Sequence, residues 1–120
     1  MLTKEQIARL LDIANAGCHK GMVAAARAVY EGVLAVKPGH VPALIGQALS
    51  HIVTGEYAEA EEKLSALIAQ YPDDDDAKAA LGLSFFLSGK KDEAKEVLAP
   101  LRGGDGNAAK LAASLIEQMA

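Results

Sequence analysis

Apolar and polar residues alternate along the chain with the spacing of amphipathic helices, and polar or glycine-containing breaks separate the apolar stretches. Thr3 followed by Gln6 predicts a capping box that opens a first helix, which we expect to end at about Ala16. The breaks predict further helices at about 22–36, 41–53, 57–70, 75–87 and 92–101. After a glycine-rich turn, Asn107 is expected to cap a last helix that reaches about Met119.

The same pattern repeats every 34 residues. Five series follow this spacing: Gly21, Gly55 and Gly89; Ala26, Ala60 and Ala94; Tyr30, Leu64 and Leu98; Val33, Leu67 and Leu101; and Pro38 and Pro72. Glycine permits the left-handed backbone of a turn between two helices, alanine lets two helix axes approach closely, and proline stops a helix. Each unit is therefore predicted to be a helical hairpin of about 34 residues, which buries its apolar face only when a neighbouring hairpin stacks on it.

The repeated residues resemble those of the tetratricopeptide repeat family over nearly the whole chain. The middle unit matches best, through Leu44, Ala48, Gly55, Tyr57, Ala60, Leu64 and Pro72. The outer units keep the small and apolar positions, but Val23 and Lys91 stand where the family has an aromatic residue after the turn. The resemblance implies an all-α fold, a right-handed α-solenoid of three hairpins and a C-terminal capping helix in a single domain, 1–120. The predicted repeats are 7–40, 41–74 and 75–108, and the capping helix is about 108–119.

Composition agrees with this prediction and excludes several classes of function. The chain has 24 Ala and 15 Leu against 15 Val, Ile and Thr combined, which favours helices over strands. A net charge of −4 without a basic block argues against nucleic acid as a partner. One cysteine cannot form an internal disulfide or a Cys-rich zinc site. Because no stretch approaches the roughly 18 apolar residues of a membrane span and the start lacks a signal peptide, we expect a cytoplasmic protein without a membrane partner.

The residues that could carry chemistry do not form a recognisable catalytic, metal or cofactor site in the sequence. His19, His40 and His51 lack helical i, i+4 pairing and a carboxylate at a spacing that would assemble a zinc site, so His19 and His51 are interpreted as polar groove or edge residues. Cys18 lacks a basic partner, because a helix would turn His19 about 100° away from it, and it is interpreted as a small buried residue. The acidic run 73–76 is interpreted as a helix cap rather than a calcium site. The sequence therefore predicts no enzyme, no cofactor and no metal.

The resemblance to tetratricopeptide repeats also implies a binding surface. In that family the first helix of each repeat lines a concave groove. The corresponding residues here are Leu11 and Asn15, then Ile45, Leu49, Ile52 and Val53, then Ala79, Leu83, Phe86 and Leu87. A groove that is mostly apolar suits an amphipathic helix of a partner protein. In the alternative, the terminal helix, the N-terminal segment or a second copy of the chain covers part of these side chains.

Length and repeat number are similar to those of the small chaperones of type III secretion, in particular the needle-subunit type. That resemblance implies a chaperone that holds an amphipathic helix of a client protein in the groove, with a small helical co-chaperone as a second partner. Without the client, the empty groove is expected to drive self-association. Two alternatives stay open, a generic repeat scaffold or assembly protein and a translocator-type secretion chaperone. A carboxylate-clamp co-chaperone is disfavoured, because only Asn15 matches a clamp position.

Overall fold

The computed structural model of the chain describes residues 2–119, except for the side chain of His19. Over this range the chain forms seven α-helices and one short 3-10 turn, and no β-strand. The helices are α1 (Lys4–His19), α2 (Val23–Val36), α3 (Val41–Val53), α4 (Tyr57–Gln70), α5 (Asp75–Leu87), α6 (Lys91–Leu98) and α7 (Asn107–Met119). The prediction of an all-α fold built from helical hairpins is confirmed.

The helix ends follow the local signals with three corrections, one of which is that Asn107 is the first residue of α7 and not its cap. The predicted capping box is present, since the Thr3 amide donates to Gln6 Oε1 at 2.8 Å and the Gln6 amide donates to the Thr3 hydroxyl at 3.1 Å. Helix α1 continues to His19 rather than stopping at Ala16, because Gly17 is tolerated inside the helix and the left-handed turn comes only at Gly21. Helix α6 ends at Leu98 and continues only as the 3-10 turn Ala99–Leu101, since proline at position 100 has no amide to donate within the helix.

The repeated glycines occupy the left-handed turns that the 34-residue period predicts. Gly21, Gly55 and Gly89 have φ angles of 87°, 79° and 85°. A side chain at any of these positions would strain the backbone, which explains why glycine recurs there. Each of these turns lets the next helix begin within about two residues of the glycine.

Contacts divide the chain into two compact units, one up to Glu56 and the other from Tyr57. In the first unit, α1 and α2 form a hairpin, and α3 packs against both. In the second unit, α5 packs against α4, α6 and α7. The boundary between the units falls inside the predicted middle repeat, 41–74, so the division into three repeats within one domain stays a prediction.

The core of the first unit is built from one stripe on α1 and the facing residues of α2 and α3. The buried residues are Ile7, Leu11, Ala14, Cys18, Ala26, Tyr30, Val33 and Ala43. The Tyr30 side chain is fully buried, and its hydroxyl donates a hydrogen bond to Asn15 Oδ1. Burial and the nearby Cys18 raise the pKa of Tyr30 to about 12, so this hydroxyl stays a proton donor throughout the neutral range.

The core of the second unit is closed by the C-terminal helix. Its buried residues are Ala79, Ala94, Leu98, Leu101, Ala108, Ala112, Leu115 and Met119. Ala60 and Ala94 are completely buried, as expected for residues at which helices cross closely. A Cβ atom added to Gly82 would lie 2.3 Å from Leu98 Cδ2, so the Leu98 side chain of α6 occupies the space on α5 that a side chain at position 82 would take.

Candidate protein-binding surface

In the first unit, the predicted binding residues of α3 differ in exposure. Val53 is 41% exposed, whereas Ile45 and Leu49 are half-buried. Ile52 is buried. Residues 45, 49 and 53 follow each other at intervals of four, so they form one stripe along α3. This stripe ends in the exposed apolar side chain of Val53.

The two predicted binding residues of α1 are engaged within the first unit. Leu11 lies four residues after Ile7 on the buried stripe of α1 and is part of the core. Asn15 is half-buried and accepts the hydrogen bond from the Tyr30 hydroxyl. The structure therefore does not place Leu11 on a free surface, because the rotation of α1 is set by its packing on α2 and α3. The side chain of His19 lies outside the described residues, so its interpretation stays a prediction.

In the second unit, α7 covers part of the predicted surface of α5. Ala79 is buried in the same cluster as α7, and Leu83 and Phe86 pack against that cluster while staying half-buried. Leu87 is 48% exposed. The burial of Ala79 in one cluster with residues of α7 agrees with the alternative in which the terminal helix covers part of these side chains, and Leu87 is the exposed apolar residue of α5.

Sequence reasoning missed a network of polar side chains in the first unit, which we call the Arg27 network. Its members are Arg27 of α2 and Ser50, His51, Thr54 and Glu56 at the end of α3. Arg27 Nε donates to Ser50 Oγ at 3.0 Å, and Arg27 Nη2 lies 2.8 Å from Glu56 Oε1. Hydrogen bonds from Thr54 and Arg27, together with His51, lower the pKa of Glu56 to about 2.

A second network, which we call the Glu61 network, lies in the second unit. Its members are Glu61 of α4 and Ser84, Ser88 and Lys90 at the end of α5. Lys90 Nζ donates to Glu61 Oε1 at 2.8 Å, and the hydroxyls of Ser84 and Ser88 donate to Glu61 Oε2 at 3.3 and 3.4 Å. The hydrogen bond and the charge of Glu61 raise the pKa of Lys90. The 34-residue spacing aligns the polar positions of the two networks with each other, but it does not indicate that Arg27 meets Glu56 or that Glu61 meets Lys90.

The structure also bears on the residues considered for chemistry. Cys18 is buried, and burial raises the pKa of its thiol, which opposes formation of a nucleophilic thiolate. Asp74 caps α5, since its Oδ1 accepts a hydrogen bond from the Ala77 amide at 3.0 Å, which confirms the capping interpretation for this residue. The turn at Gly55 brings Glu56 Oε1 to 3.1 Å from His51 Nδ1, a contact that the spacing of these residues in the sequence did not indicate. The same oxygen already contacts Arg27.

Helical hairpins that recur with a 34-residue period and present apolar helix faces define an α-helical repeat protein of the protein-interaction class. The sequence model of the tetratricopeptide repeat matches residues 19–83 and again residues 54–119. The chain belongs to the tetratricopeptide repeat family. This fold is generally non-enzymatic, and its repeats indicate a protein-binding module. No curated protein and no solved structure matches the chain, and none of the helices within residues 2–119 is long and apolar enough to cross a membrane.

Proposed function

We propose that the protein is a cytoplasmic chaperone that holds an amphipathic helix of a secretion-apparatus protein, with the apolar face of α3 as the docking surface of the first unit and the apolar face of α5 as that of the second. The observation that carries the proposal is the exposure of an apolar side chain at the same repeat position in each unit, Val53 and Leu87. These residues are 34 positions apart. Exposed apolar side chains backed by half-buried ones are typical of a surface that a partner covers.

The geometry of each stripe suits a helix. From Ile45 to Val53 is eight residues, which corresponds to about 12 Å of helix at 1.5 Å per residue. A partner helix with apolar residues at i, i+4 and i+7 presents side chains over the same length. The stripe of α5 contains Leu83, Phe86 and Leu87, so an aromatic ring is available there as an anchor. Asp76, exposed near the start of α5, favours a client helix whose polar face carries lysine or arginine.

The test measures binding of a fluorescent peptide by fluorescence anisotropy, and the peptide has the sequence of the last helix of a secretion-needle protein. We expect Val53→Glu and Leu87→Glu each to weaken binding about tenfold or more, because a carboxylate in an apolar contact would be desolvated without a partner. Both wild-type side chains are exposed, so these changes leave no cavity in the core.

Met22→Glu and Val36→Glu are the matched controls, since both residues are exposed and apolar but lie outside the predicted surface. Their affinities should equal that of the wild type. The assignment of the surface is wrong if the controls weaken binding as much as Val53→Glu and Leu87→Glu, or if those two variants bind as wild type does. Binding of a translocator helix but not of the needle-protein helix would instead identify the translocator-type chaperone.

A generic scaffold is the second candidate, and one feature of α1 favours it. Leu2, Gln6, Arg9, Leu10 and Ile13 line a shallow groove of about 250 Å³ on the first unit. Ile13 is 63% exposed. A scaffold that joins two proteins would use this groove in addition to the stripe of α3, so Ile13→Glu would abolish one interaction and leave the other intact. A chaperone with one client predicts that Ile13→Glu changes no interaction.

A further inference from the structure

The Arg27 and Glu61 networks occupy the same repeat positions with opposite charges. Each residue of the Glu61 network lies 34 positions after its counterpart in the Arg27 network. Arg27 corresponds to Glu61, Ser50 to Ser84, Thr54 to Ser88, and Glu56 to Lys90. In both networks a charged residue on the second helix of one repeat pairs with an oppositely charged residue of the next repeat. That partner directly follows the left-handed glycine after the first helix of its repeat. The hydroxyl residues are kept, whereas both charges are inverted.

Serine suits both the Arg27 network and the Glu61 network, because its hydroxyl can donate and accept a hydrogen bond. Ser50 Oγ accepts from Arg27 Nε and donates to the Gln47 carbonyl at 2.6 Å. Ser84 Oγ instead donates to Glu61 Oε2. Both serines are fully buried, so either one needs a partner within the fold. Serine at this position can therefore hydrogen-bond either to a cation or to a carboxylate of the neighbouring helix. The charge that the neighbouring helix must carry depends on the other charged residue of the network.

The neighbouring positions change together with the charges. His51 Nδ1 lies 3.1 Å from Glu56 Oε1 in the Arg27 network. The corresponding residue in the second unit is Phe85, and Lys90 Nζ lies 5.7 Å from the centre of its ring. An aromatic face attracts a cation, whereas an imidazole nitrogen hydrogen-bonds to a carboxylate. Phe85 thus suits the cation of the second unit, whereas His51 Nδ1 lies near both Arg27 Nη2 and Glu56 Oε1 and is compatible with either charge.

The fit between a large residue of α2 and a glycine of α3 also favours the pairing of these two helices. A Cβ atom at Gly46 would lie 2.3 Å from Tyr30 Cε1, so α3 accepts the tyrosine of α2 only because position 46 is glycine. The corresponding residues in the second unit are Leu64 and Ala80, both buried. If α2 packed on a helix with the surface of α5, the tyrosine would meet an alanine where it needs a glycine.

We infer that these residues determine which helices pair, so that α2 accepts α3 and α4 accepts α5, and the two mixed pairings are rejected. Repeats of similar sequence offer mixed pairings of comparable apolar area, both during folding and between two copies of the chain. The pairing of α2 with α5 would place Arg27 beside Lys90, and that of α4 with α3 would place Glu61 beside Glu56. The Glu61 side chain is only 13% exposed, so a second carboxylate beside it would be poorly solvated.

The test copies the charge signs of one network into the other. In the first copied variant, Arg27→Glu/Glu56→Lys, both networks have the signs of the Glu61 network. In the second, Glu61→Arg/Lys90→Glu, both have the signs of the Arg27 network. The matched control is the four-fold variant that carries all four changes, in which the networks again differ in sign. Each variant keeps an opposite-charge pair at every junction and leaves the net charge of the chain unchanged.

Wild type and variants are unfolded in urea and refolded at the same protein concentration, and size-exclusion chromatography with light scattering measures the ratio of oligomer to monomer. Cross-linking of mixed ¹⁴N- and ¹⁵N-labelled chains then reports contacts between copies. We expect each copied variant to raise the ratio about tenfold, because the like-charge cost of the mixed pairing has been removed. The four-fold variant should behave as wild type does. None of the changes touches Val53 or Leu87, so self-association through the proposed client surface is the same in all four chains. The comparison of oligomer ratios among these chains therefore stays valid even if the proposed chaperone function is wrong.

The inference is wrong if neither copied variant associates more than wild type. It is also wrong if the four-fold variant associates as strongly as the copied variants, since the cause would then be loss of the original side chains and not loss of the sign difference. Association of only one copied variant supports the inference if interchain cross-links join α2 to α5 or α4 to α3, and contradicts it if they do not.

Discussion

Replacement of Gly46 by alanine tests the packing of the first unit most directly. The added Cβ atom would lie 2.3 Å from Tyr30 Cε1 and 2.7 Å from Tyr30 Cζ. Tyr30 is fully buried and its hydroxyl donates to Asn15, so the ring cannot move away without displacing buried neighbours or straining this hydrogen bond. The same replacement at Gly32 of α2 meets no atom within 4 Å. One chemical change is therefore expected to have opposite effects at two helical positions of the same unit.

The magnitudes follow from two opposing contributions. Glycine to alanine within a helix stabilises by about 1 kcal/mol, because the unfolded chain loses conformational freedom. At Gly32 this gain is unopposed, so the free energy of unfolding should rise by about 0.5–1 kcal/mol. At Gly46 the clash requires the ring or the backbone of α3 to shift, and overpacking of this kind costs about 1–3 kcal/mol. With contacts this short we expect the upper part of that range, and therefore a net loss of about 1–2 kcal/mol after the helix gain is subtracted.

Urea denaturation followed by circular dichroism measures the change, with the slope of the transition compared among variants to test whether unfolding stays two-state. Tyr30→Leu in the Gly46→Ala background copies the combination found at Leu64 and Ala80 and should recover part of the loss. A Gly46→Ala variant as stable as Gly32→Ala would refute the packing of Tyr30 against α3. Failure of Tyr30→Leu to recover stability would show that the cost arises elsewhere.

Three further predictions concern single side chains. Thr3→Ala should lower the free energy of unfolding by about 1 kcal/mol through loss of the capping box, whereas Thr3→Ser should not, as urea titration would show. The folded-state pKa of Glu56, about 2, lies below the ordinary value of 4.5, so its contribution to stability is complete above about pH 5 and decreases as pH falls towards 2. Glu56→Gln should therefore flatten the acid side of the stability profile, and equal profiles would contradict this reasoning. Cys18 should react with a thiol reagent far more slowly in the native protein than in urea, and equal rates would contradict its burial.

The candidate surface was predictable only in part from the sequence. Of the exposed apolar residues, Val53 and Leu87 occupy positions that the repeat pattern assigns to the binding face. Leu11 and Ala79 occupy such positions too, yet both are buried in the cores of their units. Periodicity identifies the apolar side of a helix, but several neighbours compete for that side, and only their positions decide which part stays exposed.

The sequence by itself determined which segments are helical, the capping box of α1 and the turns, because these depend on groups that lie a few residues apart. The capping box of Thr3 and Gln6 and the left-handed glycines at the 34-residue spacing are features of this kind. Tertiary structure alone decided the rotation of α1, the covering of Ala79 by α7 and the ion pair between Arg27 and Glu56, which are 29 residues apart. Burial and ion pairing depend on which side chains meet in space, and a chain of similar repeats offers several such meetings that local periodicity cannot distinguish.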